Sequence, residues 1–356
     1  MITIAQICDL YTRGVKNRLY RGADDKLLIL AEKKGELFPK LSHSEIEEIK
    51  RVWPCFHVDR FNTLSFNRLT KRENGFSPYY INTVQIHALL DEVNRQEQVT
   101  SLTNKAMCDV FLPEIAFPEV FVRCIGGIYY NRKMERITYE DAIKELMRHE
   151  MFIMKPSIGS SGGAGVRKVK TEDKTTLAEI IQTSCNEWVA QEVLQQEPIM
   201  ASMNPSSVNS CRITTIYLKG RFGYSACVKI GKKGSNIDNW FTSYFVGLSS
   251  DGKMNEFGYD KQLNKVDKTD GGVNIKGMKV PFFDKMLCDV ERWHKYYFPM
   301  CGIVGWDIMV DISGTPRVIE TNLTHPGVIA EQLVSGPFFE PFHDVICDLV
   351  NKRRWA

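Results

Sequence analysis

The hydrophobic and polar positions of this chain fall into two regimes that meet near Lys105. Before that point apolar residues recur three and four apart, as in DKLLILAEKKGELF and SHSEIEEIKRVW, the spacing of one face of an α-helix. The second segment also carries Ser42 and Glu45, a Ser-x-x-Glu pair that lets each side chain take an amide left open at a helix start. A further helix is expected over INTVQIHALLDEVNRQ. Between them RFNTLSFNRLTKRENGFSPYY is rich in Asn, Gly, Ser and Pro and predicts a surface loop. Beyond Lys105, short apolar runs (EVFVRCI, MFIM, EWVAQEVL, CRITTIYL, GYSACVKI, CGIVGWDIMV, PRVIET) alternate with the helical stretches TYEDAIKELMRHE and TTLAEIIQTSC. The pattern predicts an α+β body behind a mainly helical N-terminal region. No repeat and no long linker interrupts it, so its lobes should share one cleft. The expected divisions are a helical region over 1–75, a linking region over 76–150, a small lobe over 151–198 and a large lobe over 199–356.

Composition narrows the function classes. At 356 residues, 43% hydrophobic and 25% charged, the chain reads as an ordinary globular protein of more than one subdomain. Lys plus Arg number 46 against 43 Asp plus Glu, too small an excess for a nucleic-acid footprint, and the basic cluster NKRRWA reads as a solvated helix end. No run approaches the ~18 apolar residues of a membrane span, and MITIAQICDLYTRGVKNR lacks the form of a secretory leader. Ten scattered cysteines without a CxxC pair point to a reducing cytoplasm.

The candidate chemistry begins with MFIMKPSIGSSGGAGVRKV, residues 151–169. MFIM suits a buried strand, Pro156 should bar regular pairing, and IGSSGGAG supplies backbone amides that can converge on one anion, with Lys155 at the rim. The loop matches neither GxxxxGK[ST] nor GxGxxG, and alone it reads equally as a plain hairpin connection. Near the C-terminus, a two-residue turn at Ser313–Gly314 puts Asp307 opposite Glu320, with Asn322 on the same face. Two carboxylates about 5 Å apart repel unless a cation lies between, and with an amide oxygen they form a donor set suited to magnesium. The alternative is a hairpin showing acids to water over an apolar face of Trp306, Ile308, Val310, Ile312 and Ile319. In CRITTIYLKGRFGYSACVKIG, a turn at Lys219–Gly220 puts Arg212 opposite Cys227, with Lys229 on that face. These two cations either await a phosphate or carboxylate or stand in water, where their repulsion is small.

Taken in order, Lys105, KPSIGSSGGAGV, QEVL at 191–194 and the D...ExN hairpin resemble an ATP-grasp protein. The details are similar to the D-alanine:D-alanine ligase pattern: a lysine opening a helix (SLTNKAMCDVF), a KPxxxGSS loop and a LLEAN-like metal segment (VIETN). NPSSVNSCRITTIYLKGRF, KIGKKGSNIDNW and SSDGKM resemble more specifically the sugar-transfer-associated branch. The resemblance covers roughly residues 75 to 340 and implies two α+β lobes sandwiching ATP. It implies that Lys105 and Lys155 contact ATP phosphates under Ser160, Ser161 and Gly162. Gln191, Glu192, Val193 and Leu194 would present backbone to the adenine, and Glu197 would reach the ribose. Asp307, Glu320 and Asn322 would hold Mg2+, as two ions. Three departures stand out: Gln191 replaces an acid, Gly305–Trp306 precedes Asp307 where ligases carry an arginine, and Lys229 replaces an arginine. The arginine's duty would pass to Arg212 or be absent. A further departure, FTSYFVG in place of a Gly-Gly pair, falls on the acceptor side.

The implied reaction is carboxylate–amine ligation through an acyl phosphate, chemistry that needs positioning and charge but no protein nucleophile. His325, in ETNLTHPG, either assists proton removal from the amine or orders its loop. The branch suggests joining an amino acid or amine to a carboxylated sugar or polysaccharide precursor such as a capsule component, with a glycosyltransferase as partner. Rival readings are a hydroxyl kinase on the same scaffold, an amino acid ligase, and a non-catalytic nucleotide-binding partner of a glycosyltransferase.

Overall fold

The computed structural model describes residues 29, 32–33, 38–56, 64–160, 162–235 and 242–352. The run DKLLILAEKKGELF, the loop residue Ser161 and the end of NKRRWA lie mostly or wholly outside the described residues. Helix α1 (His43–Val52) starts at the expected capping box: the Glu45 amide donates to Ser42 Oγ at 3.2 Å and the Ser42 amide to Glu45 Oε2 at 2.7 Å. Helix α2 (Leu64–Asn74) occupies the tract expected to be a loop. Its polar residues hid a short apolar face: Phe66 and Leu69 lie one turn apart and are both buried, so packing overrides the local composition. Helix α3 (Thr83–Val93) follows the Asn82 cap as expected.

Two antiparallel sheets form the body. The first orders β3-β2-β1-β6-β4-β5, from β1 (Val120–Ile125), β2 (Ile128–Asn131), β3 (Arg136–Ile137), β4 (Met151–Pro156), β5 (Arg167–Lys170) and β6 (Trp188–Gln191). One face packs Val122, Phe152, Met154 and Trp188 against helices α4 (Tyr139–Leu146) and α5 (Lys174–Gln182). Strands β1–β3, expected in a linking region, therefore belong to the sheet that carries the glycine-rich loop. Pro156 does not stop pairing early. It is the last β4 residue, opposite Trp188, and the Ser157 amide continues the ladder to Glu187 O at 3.0 Å.

After the short helix α6 (Pro198–Met203), the second sheet orders β11-β10-β9-β8-β7-β12-β13. Its strands are β7 (Ser210–Leu218), β8 (Arg221–Gly231), β9 (Ser243–Gly247), β10 (Gly258–Tyr259), β11 (Lys265–Val266), β12 (Ile303–Val310) and β13 (Pro316–Asn322). Helix α7 (Phe283–Tyr297) covers one face, setting Phe283, Met286, Val290 and Trp293 against Ile213, Val228 and Trp306. The other face meets α1–α3, α8 (Val328–Ser335) and α9 (His343–Lys352). Asn94, at the end of α3, ties this layer to the sheet. Its amide donates to Ile303 O and Leu323 O, each at 2.6 Å, and its oxygen accepts from the amides of Gly302 and Ile303.

The β7–β8 turn has the expected register, with Arg212 opposite Cys227 and left-handed backbone at Lys219 and Gly220. The β12–β13 turn does not. Val310 pairs with Pro316, leaving a five-residue connection, and Ile308 pairs with Val318. A bulge at Ile319 restores the offset, so Asp307 still faces Glu320. Ile312 consequently sits on the turn, 65% exposed, not in the core, and Ile319 turns into the cleft described below.

If α2 is docked through Phe66, Phe66→Ala should cost about 3–5 kcal/mol in chemical denaturation. A cost below about 1 kcal/mol would show that this helix packs on nothing.

Candidate active site

Lys105, Phe117, Lys155, Gln191, Ile319 and Glu320 line one cleft between the two sheets. Lys155 is carried by β4 opposite Val189 of β6, and its side chain is buried. Burial lowers its pKa, Glu320 opposes that shift, and Lys105 adds to it. Lys105 does not open a helix as expected. It lies in the turn between residues 100–103, a 3-10 segment, and the short helix Cys108–Phe111. Its amide donates to Ser157 O at 2.9 Å, and its Nζ lies 3.0 Å from Glu320 Oε1 and 3.4 Å from Ser160 O.

A neighbour that the sequence pattern did not reveal holds this lysine. Arg123 of β1 is fully buried and donates to Ala106 O at 2.9 Å and to both Asp109 carboxylate oxygens at 3.2 and 2.8 Å. Hydrogen bonds to a charged donor of this kind are among the strong ones, and they clamp the Lys105 segment onto the first sheet. A lone arginine in an apolar strand, VFVRCI, was the available signal, since burying it demands a carboxylate from elsewhere.

The glycine-rich loop joins β4 to β5, with left-handed backbone at Gly159, Gly162, Gly163 and Gly165. At Gly165 a side chain is excluded twice over, because a Cβ there would lie 2.8 Å from the Pro156 ring. Ser160 sits beside Lys105, with its Oγ 3.5 Å from the lysine Nζ. Gly162 is exposed in the loop.

The second sheet supplies a row of charge. Lys229 on β8, Arg212 on β7, Asp307 on β12 and Glu320 on β13 share one face, and the register sets Arg212 beside Asp307 and Asp307 beside Glu320. Asp307 Oδ1 accepts from Arg212 Nε at 2.7 Å and lies 2.9 Å from Lys229 Nζ. Oδ2 accepts from Arg212 Nη2 at 2.8 Å and Asn322 Nδ2 at 3.2 Å. The third hydrogen bond of Arg212 goes to Pro326 O, at 2.6 Å. Burial alone would raise the Asp307 pKa; the charges of Arg212 and Lys229 outweigh it and hold the carboxyl well below the usual range. Glu331 on α8 lies 3.9 Å from Arg212, accepts from Thr214 Oγ1 at 2.8 Å, and has its pKa raised by burial. Neither cation stands in water. The anion that relieves their repulsion in this state is Asp307.

Asp307, Glu320 and Asn322 fit a divalent ion in donor chemistry: two carboxylates and an amide oxygen on adjacent strands. Among the described residues no cluster of three or more His, Cys, Asp and Glu residues forms a metal cage, so phosphate oxygens would have to complete the shell. The remaining expected residues divide. Gln191 is buried in the ladder between β1 and β4. Glu192 accepts from the Glu119 amide at 2.7 Å and pairs with Arg317. The amides of Val193 and Leu194 are taken by no backbone group among the described residues, which leaves them open to a heterocycle edge. Glu197 is spent as a helix cap, accepting from the amides of Ile199 and Met200 at 2.8 and 3.2 Å. His325 is exposed and meets His87 edge-on, with ring centroids 5.4 Å apart.

A profile of the family described as sugar-transfer associated ATP-grasp matches residues 85–345. The chain belongs to that family. No curated protein sequence matches it. Solved structures similar to this ATP-grasp chain include D-alanyl-alanine synthetase A from Vibrio cholerae, at 12% identity over 70% of this chain and 64% of that one, TM-score 0.44. D-alanine-D-alanine ligase from Helicobacter pylori is similar at 16% identity over 70% and 62%, TM-score 0.43. L-amino acid ligase from Bacillus licheniformis is similar at 14% over 83% and 61%, TM-score 0.41. This ATP-grasp chain spans less than two thirds of the length of each. Members of the superfamily are ATP-dependent ligases. No helix among the described residues is long and apolar enough to cross a membrane.

Because the folded Asp307 carboxyl titrates below the ordinary aspartate value, its contribution to stability is complete above about pH 4 and declines as pH falls further. Asp307→Asn should therefore cost roughly 3–5 kcal/mol at neutral pH, and the variant's urea midpoint should lose less than the wild type's on going to about pH 3. Equal acid losses in the two proteins would remove Asp307 from the account.

Proposed function

We propose that this chain is an ATP- and magnesium-dependent ligase that joins a carboxylate to an amine through an acyl phosphate. The observation that carries the reading is the convergence of four cations on one cleft. Lys105, Lys155, Arg212 and Lys229 face Asp307, Glu320 and a Glu331 whose ionisation burial opposes. A triphosphate and a substrate carboxylate carry the charge that suits cations so placed.

In this reading Lys105 and Lys155 hold the phosphates under Ser160, Ser161 and Gly162, and Lys105 exchanges Glu320 for a phosphate oxygen. Open amides at Val193 and Leu194 take the adenine edge. Asp307, Glu320 and Asn322 hold Mg2+, which supplies charge neutralisation to the transferring phosphoryl group when bound. Arg212 and Lys229 orient the substrate carboxylate and the acyl phosphate made from it, and an amine displaces phosphate to give the amide. Glu197 is left as a helix cap in place of the ribose contact. A carboxylated sugar or polysaccharide precursor, a glycosyltransferase partner and a cytoplasmic setting are supported by the family description and the cysteine pattern alone.

Two measurements test the site. Lys155→Met should leave the ligand-free protein at least as stable, since it removes a desolvated charge, and abolish the thermal shift produced by ATP with magnesium. A shift that survives would place the nucleotide elsewhere. Glu320→Gln should abolish amine-dependent ADP release in a panel of carboxylates and amines while preserving the circular dichroism of the fold. Undiminished turnover would exclude the metal assignment, and ADP release without an amine, together with a phosphorylated product, would favour a kinase.

A further inference from the structure

Cys55 lies in the 3-10 turn Pro54–Phe56 that follows α1, and Cys347 lies in α9. They are 292 positions apart in sequence, yet their sulfurs are 3.1 Å apart. Cys55 is fully buried among Trp53, Phe56 and Ile346, whereas Cys347 is only half-buried. A disulfide holds its sulfurs at about 2.0 Å, so closing this gap takes about 1 Å of side-chain movement. The contact with Cys55 lowers the Cys347 pKa, while burial pushes the Cys108, Cys124, Cys211, Cys227 and Cys301 thiols up.

We propose that Cys55 and Cys347 are a reversible thiol–disulfide pair, opened to peroxide at the half-buried Cys347 and closed by Cys55, that fastens the N-terminal helical layer to the C-terminal helix. The Cys347 thiolate attacks one peroxide oxygen, the O–O bond breaks, and hydroxide leaves and takes a proton to become water. The product is a sulfenic acid on Cys347. The Cys55 sulfur then attacks the Cys347 sulfur, the S–S bond forms, and the sulfenic oxygen leaves as a second water with the Cys55 proton. Two electrons pass from the two thiols to one peroxide, and a small-molecule dithiol returns them. The fold gives the bond something to hold: the turn at Cys55 separates α1 from α2, and α9 packs on that turn and on α3. The pair is remote in sequence from every residue placed in the cleft, and its chemistry is independent of whether the chain is a ligase.

The test uses the full chain treated with hydrogen peroxide, quenched, and digested without reductant. The expected results are an intact mass lower by two hydrogens, a linked peptide containing Cys55 and Cys347, and a rise in thermal midpoint that dithiothreitol reverses. Cys347→Ser should lose all three, and Cys185→Ser should keep them. Wild-type protein whose Cys55 and Cys347 remain free thiols, carry added oxygen without joining, or join other cysteines would overturn the proposal. So would a reversible thermal gain that persists in Cys347→Ser. Should that variant fail to fold, the wild-type peptide map decides alone.

Discussion

Asp307 is a charged carboxylate that water scarcely reaches, and the arrangement of the large sheet around it follows from the need to compensate it. A lone buried carboxylate costs several kcal/mol, more than most single interactions return, so it persists only with charged donors on both oxygens. Arg212 and Lys229 supply them from the two strands to one side. Both cations meet at Asp307, and Glu320, one strand further on, answers Lys105 from the segment held against the first sheet. Cations gathered in this way along one cleft meet the electrostatic condition for holding a polyanion.

Positioning depends on groups that never face the cleft. Arg123 reaches from the first sheet to grip the segment bearing Lys105, and Asn94 binds four backbone groups where α3 meets β12 and the end of β13. Each is buried and bonds several groups at once, Arg123 through both terminal guanidinium nitrogens, so each defines one arrangement of chain segments distant in sequence. The cleft thus inherits its geometry from packing on both sides, consistent with catalysis through orientation and charge.

Much of this was legible in the residue pattern because it is local. The Ser42 box, the Lys219–Gly220 turn and the strand runs each follow from a few neighbouring residues whose spacing leaves little choice. The Asp307–Glu320 pairing was also legible, though for an incomplete reason: a longer turn and a bulge at Ile319 offset each other, and alternation cannot distinguish that from a tight turn with no bulge. Helix α2 was hidden because two buried side chains, Phe66 and Leu69, outweigh a polar tract. Contacts across the fold, such as Lys105 with Glu320 and Arg123 with Asp109, leave no trace in spacing, since three-dimensional closure alone brings them together.

The central claim is that the cations of this cleft are provisional partners of Glu320 and Asp307 until a nucleotide arrives. A structure determined with a non-hydrolysable ATP analogue and magnesium tests it most directly. The account predicts that Lys105 Nζ leaves Glu320 for a phosphate oxygen, with Lys155 on the same triphosphate and the base against the Val193 and Leu194 amides. An unbroken Lys105–Glu320 pair, with the nucleotide bound at another surface, would contradict it.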